Sequence, residues 1–235
     1  MNVSVAMTTF NGEKYIKEQL DSIISQISSG DEIIICDDGS TDNTYQIIAD
    51  YQKKFDGIKI YRNNRLGFVK NFEFVIKECS NELIFLSDQD DIWLHNKVER
   101  IKREFLENAE ISLVLHNAYR YFEEREMEER LLIENKRNGW LVNIITNKYW
   151  GCCIAFKREI LQYSMPFPPK LVTHDKWLGI IAESRNEAKF LDEALIKHRF
   201  HDNNVAKKLP LLQKISTRLS LLKDFVKWKH MKGKL

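Results

Sequence analysis

The chain is poor in cysteine, and the four it has are badly spaced for chemistry. Cys36, Cys79, Cys152 and Cys153 form no CxxC pair, and a vicinal pair is poor disulfide geometry. Cys36 and Cys79 sit in or beside apolar runs and read as reduced core thiols. No apolar run approaches the ~18 residues that a spanning helix needs. The first residues, Met1 to Met7, lack a basic n-region and turn polar at Thr8 and Thr9, so no leader is expected and the cytoplasm is the expected compartment. Low-complexity tracts and clear repeats are missing too. After the first apolar run there is no GxGxxG, and no GxxxxGK[ST] occurs. The dinucleotide fingerprint and the phosphate cradle of the ATPases are thereby excluded. The formal net charge is only +2, so charge as a total points to no partner.

What is present suits one large domain, or one domain with a short appendage. At 235 residues, 43% hydrophobic and 30% charged, the chain can bury a substantial core. Val3 to Met7 reads as a strand, and Tyr15, Ile16, Leu20, Ile23, Ile24 and Ile27 share a helical face within Glu13 to Ile27. Further strands are expected at Glu32 to Cys36, Ile58 to Tyr61 and Leu83 to Leu86, with helices from Thr44 to Phe55 and Phe68 to Cys79. That alternation predicts an α/β domain with a mainly parallel central sheet flanked by helices. Ligands of such sheets bind outside the carboxyl ends of the strands. The polar segments Thr8 to Asn11, Asp37 to Asp42 and Asp88 to Asp91 should therefore converge on one crevice. Later, Ile111 to Leu115 reads as a strand and Arg120 to Arg137 as an exposed helix or mobile loop. Trp150 to Phe156 reads as buried, Lys176 to Glu183 as a helix and Phe190 to His201 as strand or extended chain.

The segment Glu82 to Trp93 is the most informative. A short apolar run ends in Asp88, Asp90 and Asp91, three carboxylates in four residues. Like charges so close need an offsetting cation or donors, which points to a divalent-metal site at a strand end. A solvated acidic turn leading into a helix is the alternative. Asp37-Asp38-Gly39-Ser40 carries the same two readings: a carboxylate holding nucleotide hydroxyls, or turn and cap chemistry.

Laid in order, six segments resemble the inverting glycosyltransferases of family 2. They are Thr8-Thr9-Phe10-Asn11-Gly12, Cys36 to Asp42, Gly67 to Phe72, Leu86 to Trp93, His174-Asp175-Lys176-Trp177 and His198 to Asn204. The Ser-Asp-Gln-Asp-Asp-x-Trp form, with His-Asp-x-Trp and a late His-x-Asn-Asn, is similar to the rhamnosyltransferase-like branch of bacterial polysaccharide synthesis. The resemblance implies the GT-A (Rossmann-like) fold and a nucleoside-diphosphate-sugar donor. It implies Mn²⁺ or Mg²⁺ as cofactor, and a glycan or lipid-linked sugar as acceptor. It lays Thr9, Asn11, Asp37, Asp38, Lys70, Asn71 and Asp88 along the donor. It gives Asp90, with Asp88, Asp91 and His201, to the metal, and makes Asp175 the base that deprotonates the acceptor. Trp93, Trp177 and His174 are candidate sugar-facing platforms. In place of a more usual Gly with small or polar neighbours stands Gly151-Cys152-Cys153. A non-catalytic nucleotide-sugar-binding scaffold of the same fold is the alternative, and a nucleotidyltransferase a weaker one, since Thr8 to Gly12 is no basic glycine-rich loop.

The expected division is a transferase domain over 1–205, with a nucleotide-sugar half over 1–115 and an acceptor half over 116–205, then a tail over 206–235. From Lys207 to Lys234 the tail holds nine Lys or Arg against Asp224 alone. Leu211, Leu212, Ile215, Leu219, Leu222, Phe225, Val226 and Trp228 interleave with them at near-helical spacing. A basic amphipathic helix of this kind reads as an anchor on an anionic membrane surface, which suits a peripheral protein at the inner face of the plasma membrane. A terminal helix packed on the domain is the alternative. Nucleic acid is not an expected partner.

Overall fold

Short, largely apolar runs need cover on both faces, which a sheet between helices provides. In the computed structural model, which describes residues 1–122, 127–131, 139–146, 149–201 and 210–232, those runs form β1 (Val3–Thr9), β2 (Glu32–Asp37), β3 (Ile58–Arg62) and β4 (Leu83–Ser87). Every residue of β1, β2 and β4 is buried, whereas β3 is an edge strand with exposed positions. The helices α1 (Ile16–Ile24), α2 (Thr44–Gln52) and α3 (Phe68–Glu78) connect them. On α1 the buried residues Ile16, Gln19, Leu20 and Ile23 follow the i, i+3, i+4, i+7 pattern of an amphipathic helix.

The rest of the chain continues the same sheet. After β4 come β5 (Ile92–Trp93), α4 (Lys97–Glu107), β6 (Leu113–Phe122), β7 (Met127–Leu131) and α5 (Gly139–Ile145). A 3₁₀ turn, Gly151–Cys153, leads into β8 (Ile154–Lys157), followed by α6 (Leu161–Ser164), α7 (His174–Ser184), β9 (Ala188–Arg199) and α8 (Leu211–Lys232). The strand order is β3-β2-β1-β4-β8-β6-β9-β5, with β7 beside β6. Parallel pairing holds for β1 with β2 and β4, for β2 with β3 and for β6 with β9. The pairs β4–β8, β5–β9, β6–β7 and β6–β8 are antiparallel. The sheet is thus mixed rather than mainly parallel, because hydrophobic periodicity reports the burial of a strand and not its direction. The expectation of an exposed helix or loop over Arg120 to Arg137 is corrected where the chain is described. Arg120 lies in β6, and Met127–Leu131 pairs with it as an antiparallel strand. The remainder, 123–126 and 132–137, lies outside the described residues.

All four cysteines are free and buried. Among the described residues no helix is long and apolar enough to cross a membrane. The C-terminal helix packs on the domain. Leu221, Phe225 and Trp228 are buried, Phe225 lies 4.4 Å from the Trp140 ring of α5, and the Trp228 indole donates to the Tyr163 carbonyl at 2.6 Å. Truncating Phe225 to Ala is expected to cost about 3–5 kcal/mol, which a denaturant titration would read as a lower midpoint. An unchanged midpoint would mean that the helix contributes nothing to the fold.

Candidate active site

Parallel pairing sets the carboxyl ends of β2, β1 and β4 side by side, with Thr9 level with Asp37 and Met7 level with Ser87. The three polar segments expected to converge do so here. Asp37 is fully buried and committed inward. It accepts from the Thr9 hydroxyl at 3.1 Å, from the Ser40 N–H at 2.9 Å and from the Ser40 hydroxyl. Asn11, in the left-handed region at φ 48°, donates its N–H to Ser40 Oγ and accepts from the Thr41 N–H at 2.9 Å. Asn tolerates that conformation better than most residues. Thr9 and Asn11 thus tie the first turn to the second. Asp38 is partly exposed and accepts the N–H groups of Leu66 and Gly67 at 2.7 and 3.0 Å. It holds the loop before α3 and keeps lone pairs for another donor.

On α3 the two candidate residues separate. Lys70 is exposed. Asn71 is buried, donates to the Cys36 carbonyl at 2.9 Å and accepts from Asn63, so it braces β2 rather than facing a ligand. The platform expectation for the tryptophans is corrected in the same way. Trp93 and Trp177 are core residues, 3% and 2% exposed. Trp177 donates its indole N–H to the Ser164 carbonyl, and the Lys97 ammonium sits 4.1 Å over the Trp93 ring. Aromatic spacing alone does not separate a ring that lines a crevice from one that fills the interior.

The acidic turn after β4 divides its carboxylates between different partners. Burial, and after it the charges of Asp91 and Asp90, push the Asp88 carboxyl well above the usual carboxylate range. Asp90 faces His201, whose Nε2 lies 2.9 Å from Asp90 Oδ2, and the His201 ring stacks on Tyr15. Asp91 instead meets His198 Nδ1 at 2.7 Å and accepts the Arg199 N–H at 3.1 Å. Although burial opposes the charge, the His198 imidazolium holds the Asp91 carboxyl below its ordinary value. Burial likewise opposes charge on His198, yet Asp91 and then Cys152 raise it well above an ordinary imidazole. Arg199 adds a further strap, its guanidinium donating to the Asp90 carbonyl at 2.9 Å and reaching Glu18. His198 and Arg199 stand within the late His-Arg-Phe-His motif, which by itself gives neither a part in the site. The signal available was the clustering of both basic groups at one strand end.

Two donor sets could take a metal ion. Ligand atoms of Asp91, Cys152 and His198 lie within 4.8 Å of one another, all from buried residues. A hydrogen bond with Cys153, then burial, keeps the Cys152 thiol protonated, and the other two groups already neutralise each other. Asp90 and His201 form an oxygen and nitrogen pair beside Asp88, a carboxyl raised first by burial and then by the charges of Asp91 and Asp90, which a cation would offset. The carboxylates suit Mg²⁺ or Mn²⁺, and the imidazole suits later transition metals, so this donor set can take a divalent cation at the strand end.

Asp175 lies in the first turn of α7, after the N-cap residue Thr173. Its carboxylate accepts the Lys176 N–H at 2.7 Å and an N–H from Gly151. Burial lifts it to about 6, against the pull of those N–H groups and the Lys176 charge. Its charge is felt at Asp88, so the two carboxyls share one environment. Its neighbour His174 is buried and stacked on Phe72 at 4.0 Å, and burial drives the imidazole down to about 3, leaving it neutral. His174 is a wall of the interior rather than an open platform.

The profile of glycosyl transferase family 2 matches residues 4–164. The dTDP-rhamnosyl transferase RfbG of Shigella flexneri is 31% identical over 217 residues, 84% of this chain and 72% of its own. The UDP-Glc:alpha-D-GlcNAc-diphosphoundecaprenol beta-1,3-glucosyltransferase WfgD of Escherichia coli is 25% identical, covering 95% and 86%. The chain spans between 35% and 72% of the first four curated relatives. Among solved structures, S. aureus TarS 1–349 in complex with UDP-GlcNAc superposes with a TM-score of 0.70 at 20% identity, over 99% of this chain and 73% of that one. The mannosyltransferase PcManGT of Pyrobaculum calidifontis, solved with GDP-Man and Mn²⁺, gives 0.65 at 17% identity, over 86% and 58%. At such identities the likeness shows the fold.

Proposed function

Because the chain belongs to glycosyl transferase family 2, we propose that it moves a sugar, with inversion, from a nucleoside diphosphate to an acceptor hydroxyl, and that Asp175 is the base. The observation that carries this reading is the lifted Asp175 carboxyl, held by Gly151 and Lys176 in an environment shared with Asp88. A base titrating near neutrality combines the right protonation state with useful driving force. In the proposed step Asp175 takes the proton of the acceptor hydroxyl. The acceptor oxygen bonds to the anomeric carbon from one face while the bond to the diphosphate oxygen breaks on the other. The nucleoside diphosphate departs with that electron pair.

Asp38 and the turns held by Thr9, Asn11 and Asp37 would receive the nucleoside, and Asp88 the ribose side of the donor. Lys70, exposed on α3, would flank the donor. Asp90 and His201, with Asp88, would hold Mn²⁺ or Mg²⁺, which supplies Lewis-acid stabilisation of the departing diphosphate. Asp91 would serve through His198 and Arg199 by fixing the turn. We take residues 1–115 as the nucleotide-sugar half and 116–205 as the acceptor half. The rhamnosyltransferase-like motifs and the likeness to RfbG make dTDP-rhamnose the first donor to test. The likeness to WfgD supports a lipid-linked acceptor in cell-surface polysaccharide synthesis, met at the inner face of the plasma membrane.

A thermal-shift panel of nucleotide sugars, each with and without Mn²⁺, tests the donor, since a ligand of the folded state raises the melting temperature. No cation-dependent shift with any donor would remove the reading. The base makes a second prediction. Transfer should rise with pH as Asp175 ionises, with kcat falling about tenfold per unit well below pH 6. A flat profile from pH 5 to 8 would exclude Asp175 from proton transfer.

A further inference from the structure

The helix α8 is apolar on two sides. Leu221, Phe225 and Trp228 face the domain, while Leu212, Ile215, Leu219 and Val226 are exposed at 82%, 45%, 62% and 44%. At the pitch of an α-helix those four fall within a stripe about 60° wide, and half-buried Leu222 continues it toward the packed side. Beyond Leu222, Lys229 borders the stripe on one side and Lys223 and Lys227 border it on the other, while half-buried Arg218 sits toward the packed face and Asp224 projects elsewhere. Isolated exposed apolar residues need no explanation, but a continuous row rimmed by cations does. Long Lys and Arg side chains beside such a row can place their stems against lipid and their charges among headgroups. A second copy of this chain paired through the same face would set these cations against their own counterparts. Charge complementarity selects an anionic surface instead.

We propose that α8 lies flat between the domain and an anionic bilayer, Phe225 and Trp228 staying on the protein while Leu212, Ile215, Leu219 and Val226 enter the lipid interface. Packing and membrane docking, which the sequence presents as alternatives, are then simultaneous uses of two faces. The benefit rests on the lipid-linked acceptor proposed above; the docking does not. A bilayer held on one side of a packed helix also fixes the orientation of the sheet, and with it the crevice, relative to the membrane.

The full chain is mixed with phosphatidylcholine vesicles, with and without phosphatidylglycerol, and the bound fraction is measured by flotation. Binding is expected with the anionic vesicles only. The double variant Leu219→Gln/Val226→Gln should lower the partition coefficient about tenfold or more while leaving the melting temperature in place. An environment-sensitive fluorophore on Leu219→Cys should shift to the blue on binding, and the same label on Gln213→Cys should not. A shift at both positions means the helix peels off the domain, and overturns flat docking. Equal binding to neutral vesicles, an undiminished partition of the double variant, or a dimer in light scattering that the double variant abolishes would each overturn the proposal. Donor-induced thermal shifts, read in parallel without vesicles, report separately on the transferase reading.

Discussion

Replacing Asp175 with Asn is expected to lower turnover by about 10²–10⁴-fold while leaving donor-dependent thermal stabilisation intact. The amide is nearly isosteric, and its oxygen can still accept the N–H groups of Lys176 and Gly151. What it loses is the capacity to take a proton. Release of nucleoside diphosphate measures the first effect, and calorimetric titration of the donor the second. Stability provides an independent check. The folded-state value of about 6 lies above the ~3.9 of an unfolded Asp, so the folded chain binds this proton more tightly. That contribution is complete below ~3.9 and is lost as pH rises through 6. At neutral pH the wild type therefore buries an ionised carboxylate at some cost, and the Asn variant should melt no lower than wild type. Wild-type turnover in the variant would remove Asp175 from the chemistry, and lost donor binding would reassign it to the pocket.

The proposed cation site at Asp90 and His201 gives the second large effect. Losing a charge-stabilising interaction of several kcal/mol corresponds to a fall of about 10²-fold or more at 1.36 kcal/mol per decade, which is the expectation for Asp90→Ala. His201→Ala removes the nitrogen donor of the pair and keeps the carboxylates, so raised Mn²⁺ should restore much of its activity. The same addition should not rescue Asp90→Ala. Mn²⁺ titrations of activity and of melting temperature would separate the two. If Asp90→Ala keeps the wild-type response to Mn²⁺ while Cys152→Ser loses it, the cation belongs to the buried Asp91–Cys152–His198 set instead.

Much of the first half of the fold was legible because its signals are local. Apolar runs of four to six residues gave β1 to β4 within two residues, and 3.6-residue spacing gave α1 to α3. The helix α4 was missed, although Val98, Ile101 and Phe105 bury one face of it. Its charged residues hide that stripe, and two of them, Lys97 and Glu104, are themselves buried. The order of strands from β8 to β5 depends on which edges meet in space, and no short window encodes that. At the crevice, the motifs pointed to Asp38, Asp88, Asp90, Asp175 and His201, the residues to which the proposal gives roles. They did not reveal that Asp37 and Asn71 are consumed by internal hydrogen bonds, or that Asp91 belongs to His198. Which way Asp91 turns is decided by partners more than a hundred residues away.

That separation has a consequence for how the protein comes to exist. Asp90 is met by His201, and Asp91 by His198 and Arg199, groups that leave the ribosome more than a hundred residues later. Until β9 pairs with β6, the acidic turn between β4 and β5 has neither His198 nor Arg199 fastened to it. An N-terminal fragment holding every strand from β1 to β4 would carry the acidic sequence without its His and Arg partners. A cation held at the proposed Asp90–His201 site would therefore stabilise only the chain in which β9 is in place, by mass action. The strand that joins β5 to the sheet also brings the acidic turn its His198 and Arg199 partners.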